Sequence, residues 1–372
     1  MAKFRIPEQL NIADWFLSAR LREGLGEKTA VITSDAEYTY NDVDVLSNRF
    51  ANHLAAQGIR AGERVIVALP DGIDFVGAFF GAIKHGAVVV MINPYLEREH
   101  FDYFIEYSGA RAVIYDVVTS PSLSTAADEA SRAIERIKDM ADVRVAAADY
   151  SVVNTHKDDP AVWLFSGGTT GKPKAVVQTH RSFVNTTQHY AHGAMGYTSS
   201  DITMSIPKLF FGYATGSNLL FPFSVGATTV LFEDRPTPEV LFEQIKRHQP
   251  TLLINVPTMI NRMVAHPEAS QQDFSSIRAT TSAGEALPVE LHTRWNSVFG
   301  GELFDGLGTA EMWHIFVSNQ PGDVRPGTLG RVIPGFEISV RDDDGAPLPD
   351  GDVGTMWVRG DSLGLGYWQN QD

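Results

Sequence analysis

The chain has 372 residues, 44% of them hydrophobic, carries a formal net charge of −15 and contains no cysteine. That length exceeds what one hydrophobic core usually serves, so two or more subdomains are expected. The negative charge argues against a nucleic-acid partner, whose phosphates need a basic surface, and the missing cysteines exclude disulfides, thiolate metal sites and a cysteine nucleophile.

The N-terminal stretch MAKFRIPEQLNIADWF has no apolar h-region and does not read as a signal peptide. Thr39 is placed to cap a helix on which Val43, Leu46, Phe50 and Leu54 recur at helical spacing, and Gly58 closes it. RVIVAL at 64–69 reads as a strand. The most membrane-like run, FVGAFFGAIKHGAVVVMI at 75–92, is interrupted by Lys84, His85 and Gly86. It predicts a buried helix ending near Gly86 and then a buried strand stopped by Asn93-Pro94, so no membrane partner and a cytoplasmic location are expected. EASRAIERIKDMAD at 129–142 predicts a solvated amphipathic helix, and VRVAAA at 143–148 a strand that ends the first third. Strand alternating with helix over this length predicts an α/β fold with a mostly parallel sheet flanked by helices.

The middle third opens on AVWLF, then SGGTTGKPK at 166–174, then AVVQTH. A P-loop would need Gly, four residues and Gly-Lys-Ser/Thr running into a helix, but Ser166 stands at the first Gly position and Pro173 at the hydroxyl position. AVVQTH is too β-branched and too short to be that helix, so the segment reads as strand, loop, strand. Its glycines, the hydroxyls of Ser166, Thr169 and Thr170, and the charges of Lys172 and Lys174 suit a triphosphate; a polar hairpin turn with incidental lysines is the other reading. RSFVNTTQHYAHGA follows as a helix, ATTVLF as a strand, PEVLFEQIKRH as a helix, and TLLINV as a strand meeting Pro257 and a further helix. RATTSAGEALP and LFDGLGTAEMW each read as strand and loop, placed where open parallel sheets collect ligands, outside the carboxyl ends of strands. Beyond Gly327 short segments rich in Gly, Asp and Pro suggest a small antiparallel subdomain with a hairpin at DDDG. The expected subdomains are 1–155, 156–326 and 327–372.

Four of these loops occur together in an order that resembles the adenylate-forming superfamily of acyl-CoA synthetases, luciferase and peptide-synthetase adenylation domains. SGGTTGKPK resembles its phosphate-loop signature, SAGEALP its adenine-side loop, DGLGTAE its aromatic-Gly-x-Thr-Glu motif, and VGTMWVRGDSLGLGYW its Gly-Glu-Leu/variable-Gly-Tyr block. The resemblance implies ATP and Mg²⁺, with CoA as co-substrate. It implies that Ser166, Gly167, Gly168, Thr169, Thr170 and Lys174 hold the β- and γ-phosphates, with Lys172 a solvated surface charge. Thr309 would donate to the α-phosphate and Glu311 would be the Mg²⁺ ligand; outside such a motif, a glutamate in that place reads as a surface residue. Ala283, Gly284 and Glu285 would line one side of adenine, and Asp305 would sit at the base edge with Gly306, Leu307 and Gly308 nearby. Leu307 stands where many relatives place Tyr, so apolar contact would replace stacking. The chain stops at GYWQNQD, whereas relatives continue to a small C-terminal domain with a further catalytic lysine. The expectation is a large N-terminal domain standing alone, with impaired activity.

KLFFGYATGSNLLFP at 208–222 and EMWHIFVSN at 311–319 resemble the acid pocket of benzoate-CoA ligases. There Gly212, Tyr213, His314 and Ile315, beside Gly284, would wall a short flat pocket. Gly212, where benzoate relatives often carry Ala, would leave room for an ortho substituent or merely satisfy a backbone turn. His314 is a pocket residue or a core histidine, and Phe210 and Phe211 gate the thiol entrance or belong to plain core. The expected activity is conversion of benzoate or a substituted benzoate, such as 2-aminobenzoate, to its adenylate and CoA thioester. The alternatives are loading of a carrier-protein thiol, and a nucleotide-binding module without turnover. The sequence leaves the oligomeric state open.

Overall fold

Two largely parallel sheets organise the computed structural model, which describes residues 4–131, 133–167 and 171–369. The six-stranded sheet runs, edge to edge, Glu135–Ile137, Ala112–Tyr115, Arg64–Ala68, Val88–Met91, Pro160–Ser166, Lys174–Thr179, with only the last pair antiparallel. The nine-stranded sheet runs Arg331–Val332, Ile315–Ser318, Glu302–Gly308, Ala279–Ser282, Leu252–Asn255, Ile202–Ser205, Thr228–Val230, Thr29–Ile32, Glu37–Thr39. Its inner strands are parallel and its edges antiparallel. Strands from 29–39 thus join the sheet built mainly by the middle of the chain, while those from 160–179 complete the sheet begun in the first third.

The strands read from β-branched runs form because both faces are covered: Val88, Val89, Val90 and Met91 are all buried. Thr39 caps the helix Tyr40–Ala56 in a reciprocal box with Asp42. Helix Ile73–Lys84 packs on it through Gly77 and Gly81, where an added Cβ would lie 2.6 Å from Leu46 and 2.4 Å from Phe50. Lys84, read above as an interruption of an apolar run, is buried and bonded to Asp44 and Asn48. Among the described residues no helix is long and apolar enough to cross a membrane.

Two expectations fail between 129 and 148. Residues 135–137 form an edge strand instead of continuing a helix, because pairing with Ala112–Tyr115 buries Ile137. The 143–148 segment is not a strand: Met140–Arg144 is a short helix capped by Asp139, and the carbonyls of Ala147 and Ala148 are taken by the side chains of Asn52 and Asn48. Beyond 327 the antiparallel pair is Phe336–Arg341 with Thr355–Gly360. The DDDG turn forms, with Gly345 at φ +81°, but it leads only to a single bridge between Arg341 and Pro347.

Candidate active site

Phosphate chemistry was expected at the turn between Pro160–Ser166 and Lys174–Thr179, and there the chain is strand, loop, strand, with Ser166 opposite Lys174. Gly167 is exposed, with open space where a Cβ would lie. Gly168, Thr169 and Thr170 lie outside the described residues. Lys174 sets its ammonium 5.4 Å from the ring centroid of Tyr367, and the exposed Lys172 sets its own 5.0 Å from that of Tyr103.

A second loop faces this one. Strand Glu302–Gly308 reverses into Ile315–Ser318 so tightly that a Cβ on Gly308 would lie 2.7 Å from the His314 carbonyl; only glycine fits. Within the turn Thr309 Oγ1 accepts from the Met312 amide at 3.3 Å, and Trp313 adopts φ +62°, a left-handed conformation that a bulky side chain rarely takes. Gln178 clamps the turn from the phosphate-loop side, its amide donating to the carbonyls of Ala310 (2.7 Å) and Glu311 (3.1 Å). The Glu311 carboxylate accepts from the Tyr367 hydroxyl at 2.6 Å. Tyr367 thus lies between Lys174 and Glu311, and Glu311 shares its turn with Thr309.

Behind them lies a cavity of about 220 Å³ lined by Phe210, Phe211, Gly212, Tyr213, Ala283, Gly284, Gly308, Thr309, His314 and Ile315, together with Leu164, Phe165, Ala310 and Trp313. Phe210 is buried, while Phe211 is 54% exposed at the rim. Tyr213 is bonded through its hydroxyl to Thr281 Oγ1 at 2.6 Å, and burial raises its phenol well above the ordinary value. His314 Nε2 lies 3.0 Å from the Tyr213 carbonyl, a pure acceptor, so the proton sits on Nε2. Burial pushes the ring down to about 3, which leaves it neutral at physiological pH. Among the described residues no charged side chain lines the cavity.

On the adenine side, Ala283 and Gly284 join the cavity wall, with Gly284 at φ +87°. Glu285 turns its carboxylate outward instead, accepting from the amide and hydroxyl of Thr258 at 2.9 and 2.6 Å in the first turn of the helix Pro257–Ala265. Asp305 and Ser282 are paired in register, Asp305 Oδ1 and Ser282 Oγ are both buried, and the Ser282 hydroxyl faces the Asp305 carboxyl. Burial raises the Asp305 carboxyl to about 6. Gly306 and Leu307 lie in the strand itself, paired with Ser318 and Val317.

The family described as "AMP-binding enzyme" matches residues 19–368, nearly the whole chain. The chain belongs to this family. Among individual AMP-binding enzymes, it is 36% identical to a benzoate-CoA ligase of Thauera aromatica, over 99% of this chain and 72% of that protein. It superposes on the anthranilate CoA ligase AuaEII in complex with anthranoyl-AMP with a TM-score of 0.95 at 33% identity, covering 98% of this chain and 72% of that one. A benzoate CoA ligase from Burkholderia xenovorans LB400 gives a TM-score of 0.91 at 36% identity, covering 97% and 74%. The large domain of an AMP-binding enzyme, with its parallel sheets and small antiparallel pair, is the fold described above.

Sequence reasoning missed four wall residues of the cavity, Leu164, Phe165, Ala310 and Trp313, and two braces beside it, Gln178 and Tyr367. Leu164 and Phe165 end the strand before the phosphate loop, and that position was itself the available signal. Trp313 lay inside a quoted motif, but nothing in sequence announces its left-handed backbone. Gln178 carries no local signal, and Tyr367, although inside the quoted Gly-Tyr block, had no role assigned there, because both act through contacts across 132 and 56 residues.

Proposed function

We propose that this chain activates a small aromatic carboxylate as its adenylate and passes the acyl group to the thiol of CoA. The observation that carries the reading is the cavity: small, walled by aromatic and aliphatic side chains with a neutral histidine, and open at Thr309 and Gly284 where the nucleotide would lie. An aromatic ring fills such a space without leaving a charge buried, and its carboxylate projects toward the polar opening. A carboxylate oxygen attacks the α-phosphorus as pyrophosphate leaves; a thiol then attacks the acyl carbon and AMP leaves.

The residues present fit ATP. The buried Asp305 carboxyl offers an acceptor for a base amine, and Ser166, Gly167, Thr309 and Lys174 are the residues that would surround the phosphates. Glu311 is the residue we assign to Mg²⁺. A hard cation of this kind needs only one carboxylate from the protein, with phosphate oxygens and water completing its shell. When bound, it would neutralise triphosphate charge.

The test is binding of preformed adenylates, read as thermal stabilisation. A ligand at a hundred times its dissociation constant stabilises the folded chain by about 2.7 kcal/mol. Benzoyl and 2-aminobenzoyl adenylates should give large shifts and hexanoyl adenylate a much smaller one; equal shifts would sink the aryl assignment. Assaying AMP release with CoA against a phosphopantetheinylated carrier protein then identifies the thiol acceptor.

A further inference from the structure

Residues 362–368 lie beside the phosphate loop as an additional extended segment. Ser362 is buried, accepting from the Asn185 amide at 3.0 Å and donating to the Ser182 carbonyl at 3.0 Å. Leu365 N donates to the Val177 carbonyl at 2.9 Å, Val177 N to that of Gly366 at 3.0 Å, and Trp368 N to that of Ala175 at 2.9 Å. The Trp368 ring packs against Trp163 and is tied to Tyr107, whose hydroxyl donates back to the Trp368 carbonyl. The segment also reaches the metal-site turn directly, through Gly364 N to the Glu311 carbonyl at 2.8 Å. Tyr367 is thereby held on both sides by backbone bonds, bridged to Val176, with its ring under the Lys174 ammonium and its hydroxyl on Glu311.

We propose that Tyr367 is a positioning residue that fixes the carboxylate of Glu311 for metal binding: its hydroxyl takes Oε1, and Oε2 has no hydrogen bond or ion pair among the described residues. This rests on the assignment of Glu311 as the Mg²⁺ ligand. A free glutamate side chain samples several rotamers, and selecting one costs entropy that the Tyr367 hydrogen bond has already offset before the metal arrives. Outer partners of metal-ligating carboxylates act in this way, and their removal typically costs ten- to a hundredfold in metal affinity.

The test compares Tyr367→Phe, which removes one oxygen and keeps the ring, with Glu311→Gln. The measurement is the Mg²⁺ concentration at half-maximal enhancement of ATP binding, by calorimetry, with AMP binding in EDTA and the thermal midpoint as controls. We expect Tyr367→Phe to raise the Mg²⁺ midpoint about tenfold while AMP affinity and melting stay unchanged; Glu311→Gln should abolish the Mg²⁺ response. A wild-type midpoint in Tyr367→Phe beside a lost response in Glu311→Gln would reduce Tyr367 to a structural contact. A lower midpoint would make the hydroxyl a competitor that Mg²⁺ must displace, which equally overturns the proposal. A wild-type response in Glu311→Gln would instead remove the metal-ligand assignment on which the proposal stands.

Discussion

Gly212 starts the helix Gly212–Thr215 at the cavity wall, and a Cβ placed there would lie 3.1 Å from Leu164 Cδ1 and 3.5 Å from the Trp313 carbonyl. A methyl at this point must push Leu164 aside or enter the cavity. Gly212→Ala should therefore weaken binding of 2-aminobenzoyl adenylate by about tenfold more than that of benzoyl adenylate, the range expected for one methyl-sized change in an apolar pocket. Equal losses for both ligands, measured by titration calorimetry, would leave Gly212 with only its backbone role. The sequence pointed to Gly212, Tyr213, His314 and Ile315 because their positions within two motifs are local facts. It was silent on Leu164 as their neighbour, since that contact joins strands far apart in the chain. Glu285 marks the same limit: its motif placed the residue near adenine, but the helix start at Pro257–Thr258 captures its side chain.

The contact between helices Tyr40–Ala56 and Ile73–Lys84 shows how an element can be legible in sequence while what the element needs is not. Periodicity located the first helix and an interrupted apolar run the second, yet the reason for glycine at 81 lies in the partner: a Cβ would stand 2.4 Å from Phe50 Cβ and 2.7 Å from the Ser47 carbonyl. One of these atoms is backbone and cannot step aside. Gly81→Ala should destabilise the fold by roughly 1–3 kcal/mol or more through overpacking, against any gain in helix propensity. A urea midpoint equal to or above wild type would contradict this close approach. Thr39→Ala at the cap should cost about 1 kcal/mol by the same measurement, since the hydroxyl that accepts from the Asp42 amide is lost while the bond from the residue 39 amide to the Asp42 carboxylate remains. Between 129 and 148 local pattern misled because the deciding partners are remote: strand Ala112–Tyr115 for Ile137, and Asn48 and Asn52 for carbonyls that an isolated segment would give to its own ladder or helix.

At the scale of the whole molecule, the alternation of strand and helix predicted parallel sheets, but it could not reveal that Thr29–Ile32 pairs with Thr228–Val230, some two hundred residues later. Such long-range closure leaves polar groups enclosed between distant segments, and His180 is one. It is 2% exposed, and its Nδ1 accepts from the Ile12 amide at 3.2 Å, tying the N-terminal segment to the helix that follows the phosphate-loop strands. Burial lowers His180 to about 4, with Asp159 acting weakly in the opposite direction. Its folded value thus lies below the ordinary 6.5, so on acidification the unfolded chain takes up the proton first. The stability His180 contributes is complete above pH 6.5 and declines as pH falls toward 4. Asp71 and Asp305, both raised to about 6 by burial, act with the opposite sign: between pH 6 and 4 the folded chain binds their protons first, and stability rises. The two effects offset each other in the wild-type curve, so the histidine has to be isolated by difference. In His180→Asn the side-chain oxygen can still accept from Ile12. The unfolding free energy of wild type minus that of the variant, from urea titrations, should be constant above pH 6.5 and fall by roughly 1.4 kcal/mol for each pH unit below it. A difference that stays flat down to pH 4 would mean that His180 charges freely in the folded protein, and that the junction between the N-terminal segment and the phosphate-loop helix is open to water.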